Sequence, residues 1–94
     1  MEPLQPIERR RAARRNVTGE VHLHQFGAVL GPFLGHLIDA SATGFRLRHN
    51  RLALASGELV DFQWAGQSGQ AQAMWTRVAG EEAETGFHIL HSDS

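Results

Sequence analysis

The sequence contains no cysteine, no lysine and no long run of apolar residues. Without cysteine the chain can form neither disulfide bonds nor thiolate metal sites, so its fold must rest on packing and on backbone hydrogen bonds. No segment approaches the roughly 20 consecutive apolar residues of a membrane-spanning helix. The basic N-terminal region is also not followed by an uninterrupted apolar signal core. We therefore expect a cytoplasmic protein without a membrane span.

The charges are unevenly distributed, although the formal net charge is only -1. Residues 1–15 hold five of the nine arginines and only two acidic residues, Glu2 and Glu8. The rest of the chain holds four arginines and eight acidic residues. An arginine-rich segment is suited to meet an anion, whereas an acidic body repels a long polyanion. A small, compact anion therefore fits this distribution better than duplex DNA.

Apolar and polar residues alternate in short segments separated by turn-forming residues, a pattern typical of half-buried strands. The predicted strands are 20–26, 33–38, 45–49, 59–64, 70–78 and 86–90. We expect a hairpin loop at 65–69 and a solvated acidic turn at 80–84. In the fifth strand, alternation places Ala71, Ala73 and Trp75 on one face. The sequence thus predicts an all-β fold, a small six-stranded antiparallel β-barrel.

The predicted domain organisation is simple, because 94 residues suffice for one domain with a modest core. We expect residues 1–8 to form a disordered tail. Residues 9–91 form the single barrel domain, which includes a flexible arginine arm at 9–15, and residues 92–94 form a short tail.

Two segments contain the residue types that bind anions. The first is the run Arg10-Arg11-Ala12-Ala13-Arg14, in which Arg10 and Arg14 lie on the same side whether the segment is helical or extended. An arginine side chain matches phosphate and the O6/N7 edge of guanine. The second is Asp39-Ala40-Ser41-Ala42-Thr43-Gly44, in which Asp39 and Ser41 can read the hydrogen-bonding groups of a base. Together the two segments suggest a guanine nucleotide.

These segments fit an Arg-x-x-x-Arg motif before the first strand and an (Asp/Asn)-x-Ser-x-x-Gly motif after the second. In this the chain resembles the PilZ domain, a bacterial receptor for the second messenger cyclic di-GMP. A late strand with Trp75 and a final strand beginning Thr85-Gly86-Phe87 extend the similarity to about residues 8–90. The resemblance implies a cyclic di-GMP ligand, no cofactor and a downstream protein partner.

The resemblance also implies roles for the arginines. Arg10 and Arg14 would bind the Hoogsteen edges of guanine or the phosphates. Arg9 would stack on a guanine and help to hold a second, intercalated ligand. Binding would fold the arm over the ligand against the barrel and change the surface that a partner protein meets.

In the barrel, the implied role of Asp39 is to accept from guanine N1–H and N2 or to position an arginine. Ser41 would contribute a hydroxyl contact. Gly44 would allow close backbone approach and a backbone angle that other residues resist. Trp75 is either a core residue or a surface on which a purine stacks.

Other interpretations of the same residues remain open. Isolated basic runs are often solvated or bind nucleic acid nonspecifically, and Asp39, Ser41 and Gly44 are ordinary turn residues. The alternatives are thus a barrel that binds nucleic acid nonspecifically, or a PilZ-like adaptor that does not bind nucleotide. Members of the family often cover one barrel mouth with a C-terminal helix, for which little or no sequence follows the last predicted strand. A partner or a second copy could cover that mouth, which leaves a homodimer open.

Metal binding and catalysis find little support in the sequence. His22 and His24 would lie on one strand face, but no third ligand has suitable spacing. No nucleophile with its base, pair of acid and base carboxylates, phosphate loop or zinc motif is visible. We therefore predict no metal site and no enzymatic activity.

Overall fold

The computed structural model describes residues 15–16, 19–27 and 31–93, and every regular element in these ranges is a strand. The predicted all-β fold is confirmed. The seven strands, in chain order, are β1 (Arg15–Asn16), β2 (Glu20–Gln25), β3 (Phe33–Ala40), β4 (Gly44–His49), β5 (Leu59–Trp64), β6 (Gln67–Ala79) and β7 (Glu82–Asp93).

Six of the strands close into a barrel, as predicted. The order in the sheet is β1-β3-β2-β5-β6-β7-β4, and β4 also pairs with β3, which closes the ring of β2 to β7. Every pairing is antiparallel. The short β1 lies on the same edge of β3 as β2, with Arg15 opposite Ala40 and Asn16 opposite Asp39.

The core fills the barrel with side chains from alternate positions of the strands. Phe45 is at its centre, because its ring centroid lies 5.1 Å from both Phe62 and Phe87. Burying a side chain of this size contributes about 1.5–3 kcal/mol. The fully or nearly buried apolar residues are Val21, Leu23, Leu37, Phe45, Leu47, Leu54, Val60, Phe62, Ala71, Ala73, Ala83 and Phe87.

The loop between β4 and β5 contributes a side chain to the core. Its Leu54 is only 2% exposed and belongs to the core cluster. Two backbone hydrogen bonds hold the loop against β6, from Gly57 N to Ala73 O at 2.7 Å and from Ala73 N to Glu58 O at 2.8 Å. The loop is therefore packed against the barrel through both its backbone and Leu54.

The hairpin between β5 and β6 is tighter than we predicted. Only Ala65 and Gly66 form the turn, and both have positive φ, 51° and 82°. Such a two-residue turn matches the right-handed twist of the flanking strands. Residues 67–69, expected in the loop, consequently belong to β6.

The predicted acidic turn at 80–84 is also wrong in its extent. The chain turns at Gly80, with a φ of 67°, and Glu81, and β7 begins at Glu82. Ala83, between two glutamates, is 2% exposed and points into the core, which explains why this segment is a strand. At its other end β7 continues through Ser92, expected in a tail, to Asp93.

Candidate functional site

The Asp-x-Ser motif begins at the end of β3, where a bulge changes the alternation of the strand. Leu37 lies opposite Leu47 of β4, but the next pair joins Asp39 to Arg46, so Ile38 is the extra residue. Leu37 and Leu47 are both buried in the core. Because neighbouring pairs point to opposite faces, Asp39 and Arg46 face outward.

Asp39 is held by a close ion pair with Arg46. Nη2 of Arg46 donates to Oδ2 of Asp39 at 2.6 Å, and the two side chains are 35% and 7% exposed. A charge-assisted hydrogen bond of this length fixes the orientation of the carboxylate. The sequence interpretation allowed Asp39 to position an arginine, and Arg46 is one arginine that it contacts. Among the described residues, the buried Nε of Arg46 has no hydrogen-bond partner.

The loop that connects β3 to β4 is a tight turn that begins at Ser41. The N–H of Ser41 donates to Gly44 O at 2.8 Å, and its hydroxyl lies 3.4 Å from Thr43 N, a weaker contact. Ile89 of β7 donates from its N–H to Thr43 O at 2.9 Å. The turn is therefore closed by its own hydrogen bond and fixed to β7 by another, and Ser41 lies two residues from Asp39.

Gly44 is needed for space. Its φ is not positive, so the backbone angle that we expected there is wrong. A Cβ at this position would overlap the carbonyl oxygen of Phe87 in β7. Gly44 thus allows the backbones of β4 and β7 to approach closely within the barrel. Its predicted close approach to a ligand stays a prediction.

Trp75 lies on the outer surface because β6 also has a bulge. Ala73 is opposite Phe87, but Trp75 is opposite Gly86, which makes Met74 the extra residue. Ala73 is fully buried, whereas Trp75 is 41% exposed. The prediction that Trp75 shares a face with Ala71 and Ala73 is therefore wrong, and the bulge is the physical reason.

The indole of Trp75 covers Gly86 of β7. A Cβ on Gly86 would lie only 2.6 Å from Cε2 of Trp75, so the missing side chain provides the space for the ring. Gly86 in turn lies opposite Arg46 of β4. The outer surface thus has a row of neighbours across five strands, namely the backbone of Asn16, then Asp39, Arg46, Gly86 and Trp75.

The other outward arginines of this face have acidic neighbours. Arg77 forms an ion pair with Glu84, and Arg48 lies 3.7 Å from Glu82 with both side chains more than half exposed. Exposed pairs of this kind contribute little energy but reduce the local positive charge. The charge of the basic face of β4 is partly neutralised in this way.

Three of the predicted ligand-binding residues, Arg9, Arg10 and Arg14, lie outside the described residues. The structure can be followed from the next residue, since the backbone of Arg15 pairs with Ala40. The arginine-rich segment is therefore joined to the barrel next to Asp39. Of the barrel residues, Asp39, Ser41 and Gly44 come together at one end of β3 and β4, while Trp75 lies two strands from β4.

A buried polar cluster was not assigned a role from the sequence. His49 is 3% exposed; its Nδ1 accepts from Arg51 N–H at 3.0 Å, and its Nε2 lies 2.7 Å from the Thr85 hydroxyl. Thr85 is in turn 2.7 Å from the hydroxyl of Thr76. Burial, and secondarily the charge of Arg51, lowers the pKa of His49 from its ordinary value. Thr85 lies in β7, which pairs with β4 in space but is 36 residues away along the chain, so the sequence alone does not bring the two residues together.

In residues 19–27 and 31–93, no group of three histidine, aspartate or glutamate side chains is arranged to hold a metal ion. Within the same part of the chain, no helix is long and apolar enough to cross a membrane.

The fold and the site define a small closed β-barrel in which the end of β3 carries Asp39, the following turn carries Ser41, and the strand after the arginine-rich sequence pairs with β3. A family model described as PilZ domain matches residues 8–94. The chain therefore belongs to the PilZ domain family, as its motifs indicated. Membership supports a cyclic di-GMP-binding domain at the level of the family, whose members are ligand-binding receptor domains. A search of curated proteins gives no match.

Proposed function

We propose that this chain is a cytoplasmic, non-catalytic receptor domain that binds cyclic di-GMP without a cofactor. The observation that supports this most directly is the arrangement of Asp39, which is oriented by Arg46 and lies opposite β1, the strand into which the arginine-rich segment leads. The first half of the family motif is thus followed directly by a strand that pairs with the residues of the second half. The ligand carries two phosphates and two guanines, so a receptor needs cations and groups that read a purine edge.

In this proposal the arginine segment supplies the charge. Arg10 and Arg14 bind guanine Hoogsteen edges or phosphates, and Arg9 stacks on a base. A bidentate arginine contact to guanine discriminates against other bases by about 1–3 kcal/mol. The body of the chain, with eight acidic and four basic residues, disfavours extended polyanions, which supports a small nucleotide as the ligand.

The barrel supplies the surface on which the ligand lies. Asp39 accepts from guanine or positions an arginine, and Ser41 offers its hydroxyl. Gly44 contributes as the last residue of the tight turn that contains Ser41. The buried Nε of Arg46 is a further donor for a phosphate or guanine oxygen. Trp75 is the aromatic residue of the outer row that also contains Asp39 and Arg46, and a purine can stack on its exposed indole.

Ligand binding would order the arginine arm against the barrel and change the surface available to a downstream protein partner. Hydrogen exchange of residues 8–16 should slow on saturation with ligand, because ordered amides are protected. Unchanged exchange would contradict the arm closure without touching the binding proposal. We propose no nucleic-acid partner, and a homodimer is compatible with this function.

The test is isothermal titration with cyclic di-GMP, with cyclic di-AMP as the control ligand. The two nucleotides share backbone and charge but differ at the base edge, so we expect saturable binding of the guanine ligand alone. Arg10→Gln should weaken it at least about tenfold, the cost of a lost guanine contact. Arg48→Gln makes the same chemical change on an exposed arginine of β4 and should have little effect.

Each other result of the titration supports a different function. Equal binding of both nucleotides, with strong salt dependence, would favour a nonspecific nucleic-acid-binding barrel. Binding of neither would favour a PilZ-like protein adaptor. Either result would refute the proposed receptor function.

A further inference from the structure

The hairpin of β6 and β7 leaves one edge of β6 without a neighbouring strand. From Gln67 to Gln72, β6 pairs with β5, and the β4–β5 loop continues this contact to Ala73 and Met74. Beyond that point β6 has β7 on one side only, through the pair Ala79 and Glu82. Within the described part of the chain, no backbone group of any other strand bonds to the edge from Trp75 to Ala79. Such an edge is a template for another strand.

Apolar side chains are concentrated along this edge. Seven large hydrophobic residues of the described chain are exposed, and four of them, Leu52, Met74, Trp75 and Val78, line one groove of about 460 Å³. Val78 and Met74 are each about half exposed. Natural edge strands are usually protected by charge, proline or a covering loop. Here Arg77 is the only charged residue from Trp75 to Ala79.

The sequence of the edge is complementary to itself in one antiparallel register. If Thr76 lies opposite Thr76 of a second copy, Trp75 meets Arg77 of that copy and the reverse contact forms as well. Trp75 and Arg77 both face outward, since their β7 partners are Gly86 and Glu84, so the guanidinium can lie against the indole. Three residues of each copy, Trp75 to Arg77, pair in this register, because the β4–β5 loop already bonds to Ala73 and Met74 on the same edge. The contacts repeat across a two-fold axis, as an isologous interface requires.

We propose that the chain forms a homodimer by antiparallel pairing of the β6 edges, centred on Thr76. The pairing continues the sheet from one barrel to the next and covers the groove beside Leu52. It does not rest on cyclic di-GMP binding, and it goes beyond that function by assigning the surface through which two copies meet. A pairing of three residues from each copy is a small interface, so the dimer should be weak and depend on concentration.

Sedimentation of the full chain from about 10 µM to about 1 mM measures this association, in a range suited to a weak complex. We expect dimers at the upper end. Val78→Lys places a charge on the edge and should weaken the dimer at least about tenfold. Leu90→Lys makes the same change at an apolar residue of similar exposure on β7, away from the edge, and should leave the dimer intact. A wild-type monomer throughout, or equal effects of the two substitutions, would overturn the proposal.

Single cysteines test the register, because the natural chain has none. Residues directly opposite in antiparallel strands have Cα atoms about 4.5–5.5 Å apart, within the span of a disulfide. Thr76→Cys should therefore form a disulfide dimer on mild oxidation. Met74→Cys should not form one, because in this register the two copies of residue 74 are offset by four residues along the strands, about 13 Å. A mixture of Trp75→Cys and Arg77→Cys chains should form the mixed dimer. Equal oxidation of all the variants would refute this register.

Discussion

Breaking the ion pair between Asp39 and Arg46 should destabilise the barrel and disturb the candidate site together. A hydrogen bond to a charged group contributes about 1.5–3 kcal/mol to stability. The 2.6 Å contact and the nearly buried carboxylate favour a strong interaction, but the Arg46 side chain is 35% exposed and water screens it. We therefore expect a coupling at the low end, about 1.5 kcal/mol.

A double-mutant cycle isolates this coupling from the other contacts of the two side chains. Arg46→Met, Asp39→Asn and the double variant would be unfolded by urea, and the coupling read from the free energies of unfolding. Arg46→Met alone should lower the melting temperature by about 6–12 °C, since each kcal/mol corresponds to about 4–8 °C in a domain of this size.

The exposed pair of Arg48 and Glu82 is the matched control for the cycle. Its atoms are 3.7 Å apart and both side chains are more than half exposed, so its coupling should be below about 0.5 kcal/mol. If the coupling energy of Asp39 and Arg46 is no larger than that of the control pair, the ion pair does not orient the carboxylate. The interpretation of Arg46 as the residue that positions Asp39 would then be wrong.

Two further predictions concern the packing of the barrel. Gly44→Ala should destabilise the fold by about 1–3 kcal/mol, the usual cost of overpacking, because the new methyl group meets a backbone carbonyl. Gly31→Ala, with open space around it, should be nearly neutral in the same urea unfolding experiment, and equal effects would contradict the steric reason. Stability should also depend on the lowered pKa of His49. Above about pH 6.5 the imidazole is neutral in both states and its contribution is complete. Below that pH the unfolded chain takes up a proton first, so the free energy of unfolding falls until the folded pKa is passed. His49→Leu should lose this pH dependence and exposed His88→Leu should keep it, whereas an unchanged dependence in His49→Leu would contradict the assignment.

The sequence predicted the strands well where alternation continues without interruption. Val21 and Leu23 in β2, and Phe45 and Leu47 in β4, alternate with polar residues, and all four are buried. It also predicted the turn that contains Ser41, but it ended the strand before this turn at Ile38, whereas β3 continues through Asp39 to Ala40. These features depend on local chemistry, which a single sequence contains.

The errors arose where the conformation of one strand depends on its pairing with another strand. The extra residues Ile38 and Met74 are defined only by the partner strand, and their own side chains give no signal of a bulge. For the same reason Trp75 was placed on the wrong face. Ala83 was missed because one small apolar residue between glutamates is a weak signal. The role of Gly44 depends on the Phe87 carbonyl, which lies in a distant part of the sequence.

The way the barrel closes has a consequence for how fast it forms. Two of its pairings, His22 with Gln63 and Gly44 with His88, join residues about forty positions apart, and no helix of the described chain shortens these separations. The hairpin of β6 and β7 turns at only two residues and can form early. The barrel can close only when the slow pairings between residues far apart in sequence have formed. Refolding should therefore take milliseconds to seconds even though the domain is small.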